Sequence, residues 1–139
     1  MRGLSMIRLA ALLTSLAMAG CATARSQETT VVEPGGDVTL APGAIAAVKA
    51  AQMKVRFVAV TEDSRCPRDV TCIWAGEVKV LLEIEQASKV KSRVELREGA
   101  STDAGGYRVT LVQVEPQRAD SARIAPQDYR VTLTIGRVN

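Results

Sequence analysis

Two cysteines separated by five residues carry the most reactive chemistry in this chain. Cys66 and Cys72 lie on either side of Pro67, whose ring fixes one backbone dihedral angle between them. Thiols this close can form a small disulfide ring in an oxidising compartment. They can also form a redox switch, but redox pairs usually have only two residues between the thiols. The longer spacing favours a structural bridge.

The third cysteine, Cys21, follows an N-terminal segment typical of an export signal. Arg2 and Arg8 make its start basic, the run 6–19 is mostly apolar, and small residues follow. A membrane-spanning helix needs about 20 apolar residues, and this run is shorter and leads into a polar stretch. The sequence therefore predicts an exported protein.

The junction Met18-Ala19-Gly20-Cys21 resembles the lipobox of bacterial lipoproteins, with Met18 where Leu is more common. The resemblance implies a lipoprotein signal peptide over 1–20 and a lipid on Cys21 that attaches the protein to the membrane. With Ala22 next, it implies an outer-membrane location facing the periplasm. The alternative is ordinary secretory cleavage after Ala24. Either route leads to a compartment that permits disulfides, so we predict a bridge between Cys66 and Cys72.

The residues present exclude several classes of chemistry. The chain has no histidine, which is the commonest general base and a frequent zinc ligand. With Cys21 acylated and the other cysteines bridged, no thiolate remains as a nucleophile. Glu62, Asp63 and Asp69 are candidates for a carboxylate pair or a calcium site, but acceptors for local N–H groups and partners for nearby arginines explain them better. We predict no enzyme activity, no metal and no cofactor.

Net charge gives no reason to expect a nucleic-acid partner. The full chain has 18 basic and 15 acidic side chains, a net charge of +3, but removing Arg2 and Arg8 with the signal lowers it to about +1. Aromatic residues make up only 3% of the chain, too few for stacking on bases. The expected partners are a membrane, through the lipid, and an envelope protein.

The elements that must position the cysteines are predicted to be short strands. Residues 21–36 are small or polar and predict a flexible tether, followed by a single β domain over 37–139. Residues 44–51 suit either helix or strand, and we favour strand. The segment 98–106 is typical of a turn. With about seven strands in all, the sequence predicts an all-β antiparallel sandwich or small barrel with one local disulfide.

Alternation of apolar and polar residues predicts which side chains face the core. Phe57 belongs to one apolar face, and Trp74 shares its parity with Cys72 and with the apolar residues that follow, so the bridge and the indole are expected to point inward. Tyr107 and Tyr129 each begin a Tyr-Arg-Val-Thr-Leu run. Between these runs, 115–128 is too long for a tight hairpin and predicts a crossing between sheets.

The stretch Asp63–Gly76 reads Asp-Ser-Arg-Cys-Pro, four residues, then Cys-Ile-Trp-Ala-Gly. It resembles the hallmark of a family of uncharacterised bacterial secreted proteins and lipoproteins. The resemblance implies a β domain outside the cytoplasm, and no activity. We therefore expect a lipid-anchored envelope module that acts by binding or structural contact. The alternative is an inhibitor of an extracytoplasmic hydrolase, with Arg65, Pro67 and Arg68 as a partner-binding loop, and an enzyme comes third.

Overall fold

The computed structural model describes residues 27–139, in which nine strands form two sheets. The strands are β1 (Thr29–Val31), β2 (Asp37–Leu40), β3 (Ile45–Val48), β4 (Met53–Asp63), β5 (Val78–Glu85), β6 (Lys91–Arg97), β7 (Ser101–Ala104), β8 (Tyr107–Glu115) and β9 (Arg130–Arg137). Two short 3-10 helices, Lys49–Ala51 and Pro126–Asp128, complete the regular structure. No helix within residues 27–139 is long and apolar enough to cross a membrane.

The two sheets have different strand orders and share one core. The larger sheet runs β1-β3-β4-β5-β6 and the smaller runs β2-β9-β8-β7. Every neighbouring pair is antiparallel except β1 and β3, which are parallel. The predicted all-β architecture is confirmed, and of the two forms it allowed the structure is an unclosed sandwich. Nine strands replace the expected seven because β1 and β7 are short and polar.

Strict alternation along the central strands builds the core. Along β5, every second residue from Val78 to Ile84 is buried, and β9 buries Val131, Leu133 and Ile135 in the same way. Phe57 is completely buried, and Tyr107 and Tyr129 are nearly so. β-Branched and aliphatic residues suit such strands because they pack well on a pleated surface. The apolar faces of both sheets therefore meet in one cluster.

The boundaries of several predicted segments differ in the structure. The predicted tether 21–36 is wrong from residue 29 onward, because β1 pairs with β3 and Val32 is buried. The signal peptide 1–20 and Cys21 lie outside the described residues. The ambiguous piece 44–51 contains β3 followed by a 3-10 turn. The predicted turn 98–106 includes β7, which pairs with β8.

The connection between β8 and β9 is not a crossing between sheets. Glu115 pairs with Arg130, so the two strands are antiparallel neighbours in the smaller sheet. The intervening segment, 116–129, is long because it folds over one end of the sandwich. There the Arg118 carbonyl accepts a hydrogen bond from the backbone N–H of Arg68, at 3.1 Å. Connection length alone could not separate this arrangement from a sheet crossing.

Candidate functional site

The hairpin of β4 and β5 continues past its strands into a loop closed by the disulfide. The N–H of Ser64 donates to the Glu77 carbonyl at 2.8 Å, and the N–H of Cys66 donates to the Ala75 carbonyl at 2.9 Å. The bridge between Cys66 and Cys72 is present, with the two Cα atoms 5.9 Å apart. The predicted disulfide is thereby confirmed. We call residues 66–75 the stapled tip.

Gly76 allows the two arms of this extension to approach each other. Its φ is +69°, a region that side chains rarely adopt. A Cβ atom at this position would lie 1.8 Å from the carbonyl oxygen of Ser64, which is backbone and cannot move aside. The motif ends in glycine because no other residue fits there.

Below the tip, a buried arginine joins the two sheets. Arg65 is only 9% exposed, and its guanidinium binds both carboxylate oxygens of Asp63, with Nε 2.8 Å from Oδ1 and Nη2 2.7 Å from Oδ2. It also donates to the carbonyl of Val114 on β8, at 2.9 Å, and to that of Pro116, at 3.0 Å. Bidentate pairing with additional acceptors satisfies the buried charge. The Arg65 side chain therefore holds the hairpin to the opposite sheet.

Tyr129 completes this polar cluster, which we call the root: Asp63, Arg65 and Tyr129. The Tyr129 hydroxyl donates to Oδ2 of Asp63 at 2.9 Å. Burial, together with the bond to Asp63, raises the pKa of Tyr129 to about 12. Burial also opposes ionisation of Asp63, but the bonds from Arg65 and Tyr129 outweigh it and keep the pKa of that carboxyl below its ordinary value. The root is an ion pair with a neutral phenol.

A second loop supports the tip from the side. Nη1 of Arg118 donates to the backbone carbonyl of Arg65 at 3.2 Å, and the Arg118 carbonyl accepts from the N–H of Arg68. The tip is thus fixed by the disulfide, by the root and by the β8–β9 connection.

The tip presents apolar side chains to solvent. Ile73 is fully exposed, Trp74 is 69% exposed and Val70 is 51% exposed. The prediction that Trp74 and Cys72 face the core is wrong. The alternation of inward and outward side chains in β5 cannot be extended back to Cys72. β5 begins at Val78, and the chain between Cys72 and Gly76 is not a strand. The indole therefore lies outside the sandwich.

The partner-binding loop predicted from Arg65, Pro67 and Arg68 is also rearranged. Arg65 points inward, Pro67 is half-buried, and only Arg68 is exposed. Sequence analysis missed Val70 and Ile73. A signal existed for Val70, because the seven-residue ring that the disulfide closes is too short to return an apolar side chain of its own to the core. Ile73 follows the ring directly.

The carboxylates near the tip are dispersed rather than grouped in one site. Glu62 pairs with Lys79 at 2.7 Å, both oxygens of Asp63 are occupied in the root, and Asp69 is exposed on the tip. An open cleft of about 520 Å³ lies beside the root, and both oxygens of Asp63, one of its lining residues, already accept hydrogen bonds from Arg65 or Tyr129. Among residues 27–139, no group of three potential ligands could hold a metal ion.

Comparisons with protein-family models, with curated proteins and with solved structures find no match to this chain. The stapled tip and its root are therefore interpreted from their own chemistry.

Proposed function

We propose that this protein is a lipid-anchored module of the bacterial cell envelope that acts by contact, and that the stapled tip is its contact surface. One observation carries the proposal: Ile73 and Trp74 are exposed side by side on a loop that is fixed at its base. Large apolar side chains grouped on a protruding loop typically mark an interaction site, whereas scattered single ones do not. Tryptophan is also among the residues most enriched at binding hot spots.

The root supports this function by holding the tip in one position. A contact loop that is already ordered loses less conformational entropy on binding than a mobile one. The Arg65 guanidinium donates hydrogen bonds to Asp63, to the Val114 carbonyl of the opposite sheet and to the Pro116 carbonyl just after β8. The contact residues are therefore supported by a buried framework that does not itself meet the partner.

The lipid anchor is supported by the lipobox resemblance at Cys21 and by the apolar, Arg-containing segment before it. Mass spectrometry of the mature N-terminus tests it. The expected product begins at an acylated Cys21. An unmodified chain that begins at Arg25 would show ordinary secretory cleavage and would remove the anchor from the proposal.

Photo-crosslinking in living cells tests the contact surface. Benzoylphenylalanine in place of Ile73 should form adducts, while the same residue in place of Val90 should form none. Val90 is a matched control because it is 58% exposed and lies in the β5–β6 turn, at the end of the larger sheet away from the tip. Equal crosslinking at both positions, or none at either, would contradict a contact role for the tip.

A second candidate function is inhibition of an extracytoplasmic hydrolase. The observation that favours it is a rigid, disulfide-closed loop that projects from the domain, a shape suited to enter a cleft. The inserting residues would be Val70, Ile73 and Trp74, since Arg65 is buried. A stoichiometric hydrolase adduct at position 73 would identify this function.

A further inference from the structure

We propose that the surface contacted by the stapled tip is the interfacial layer of the lipid bilayer to which the N-terminal segment leads. The inference rests on the contact function proposed above and names its partner. It follows from where the chain enters the fold, from how many residues precede that point, and from the chemistry of the exposed side chains.

The first described residues enter the larger sheet from the direction of the tip. In β1 and β3, Thr29 pairs with Ile45, which in turn lies opposite Arg56 of β4. Val31 lies at the level of Lys54, so the chain moves away from the tip as it enters. Gln27 and Glu28 therefore lie nearer the Asp63 end of β4 than Thr29 does.

Side-chain and backbone bonds fix this direction at the first described residues. The Glu28 carbonyl accepts from the N–H of Ile45 at 2.8 Å, and the Gln27 side-chain oxygen accepts from Nη2 of Arg56 at 3.2 Å. The parallel ladder thus extends one residue beyond β1 toward the tip. Gln27 therefore lies about halfway along β4, and the chain at this point runs away from the tip.

The length of chain before Gln27 matches the height of the tip. Cys21 precedes Gln27 by six positions, which span at most about 20 Å when extended. Gln27 lies near the level of Leu81 on β5, and the rise from there to Ala75, opposite Cys66, is about 20 Å at the usual rise for each strand residue. A lipid on Cys21 would therefore hold the tip end of the sandwich against the membrane.

The side chains of the tip suit the boundary between headgroups and acyl chains. Tryptophan concentrates at this depth because its ring is apolar and its N–H still finds polar partners. Ile73 and Val70 add apolar surface beside it. Arg68 and Asp69 cancel in charge, so the contact is apolar and should depend little on anionic lipid or salt.

Fluorescence tests the inference directly, because Trp74 is the only tryptophan. The full-length lipidated protein is reconstituted into phosphatidylcholine vesicles, with and without phosphatidylglycerol, and Trp74 is quenched by brominated phosphatidylcholine or by aqueous iodide. We expect strong quenching by the brominated lipid, protection from iodide, and the same result in both vesicles. Iodide access with no quenching by the brominated lipid would overturn the inference.

Two matched variants separate insertion of the tip from mere nearness to the membrane. Val70→Asp should lower the ratio of membrane-inserted to water-exposed Trp74 about tenfold. The bilayer contact then loses one apolar side chain and must accept a charge. Val90→Asp makes the same change at a similarly exposed site on the far end and should have no effect. Equal effects of the two substitutions would contradict insertion.

Crosslinking distinguishes failure of this inference from failure of the contact function. A lipid adduct at position 73 supports bilayer contact. A protein adduct at the same position keeps the contact function and rejects the bilayer as its partner, while no adduct rejects both.

Discussion

The root and the tip lie within one stretch of fourteen residues, Asp63–Gly76, and they reverse the usual placement of side chains. In the root, a carboxylate and a guanidinium are buried and fully paired. In the tip, an isoleucine and the only tryptophan are in solvent. Buried charge is costly unless it is paired, and exposed apolar surface gains nothing in water.

The contrast indicates that the two parts have different tasks. The root links the hairpin to the second sheet and fixes the position of the tip. The exposed side chains of the tip, Val70, Ile73 and Trp74, do not pack in the core, so they are available for an external surface. Substitutions in the root should therefore change folding, and substitutions of these exposed side chains should change contact.

The largest effect is expected from breaking the root. Arg65→Met leaves the Asp63 carboxylate without its cation and should lower the free energy of unfolding by about 3 kcal/mol. Adding Asp63→Asn should restore part of the loss because the unpaired charge is removed. Arg68→Met, an exposed arginine three residues away, should stay within about 0.5 kcal/mol. Guanidinium unfolding of the variants measures this, and equal losses for Arg65→Met and Arg68→Met would mean that the root carries no special stability.

Opening the disulfide ring of the tip should have the next largest effect. Replacing both Cys66 and Cys72 by Ser should lower stability by roughly 2 kcal/mol, the chain-entropy value for so small a loop. The crosslinking yield at position 73 should also fall because the tip is no longer ordered. Unchanged crosslinking with lowered stability would show that the bridge serves folding alone.

A smaller effect is expected from removing one hydrogen bond of the root. Tyr129→Phe should cost about 1 kcal/mol. It should also weaken the loss of stability at alkaline pH. The native pKa of Tyr129 is about 12 and its ordinary value is 10.0, so the unfolded chain loses this proton at a lower pH than the folded one. The stabilisation that Tyr129 gives through its raised pKa is complete below pH 10 and is lost as the pH rises to about 12. Unfolding at a series of pH values measures it, with Tyr107→Phe as the buried tyrosine that does not bond Asp63.

The smallest effect on stability is expected in the tip. Trp74→Ala should change the free energy of unfolding by less than about 0.5 kcal/mol, because the indole already lies in water. Phe57→Ala, the same truncation of a completely buried ring, should cost about 3–5 kcal/mol. Denaturant unfolding midpoints of the two variants measure the difference, and similar midpoints for both would place the indole in the core.

Local pattern predicted much of the fold. Alternation along β4, β5 and β9 identified the core strands, and the paired cysteines identified the bridge. The sheet order could not be read from the chain, because it depends on which strand edges meet. β1 was missed because three residues, Thr29–Val31, carry too little pattern to mark a strand.

The candidate site was harder to predict because it depends on contacts distant in sequence. Arg65 is buried because Val114 and Pro116, about fifty positions away, offer their carbonyls. Tyr129 reaches Asp63 from the far side of the β8–β9 connection. Trp74 was misplaced because parity was carried through residues that are not extended. Strand periodicity holds only where a strand is continuous.

Acrylamide quenching of Trp74 fluorescence, in folded and in guanidinium-unfolded protein, tests the central claim most directly. If the root presents an exposed tip, quenching should be nearly as efficient in the folded protein as in the unfolded one, and the emission maximum should shift little on unfolding. A blue-shifted, protected indole that becomes accessible only on unfolding would show that Trp74 packs in the core, and would contradict the account.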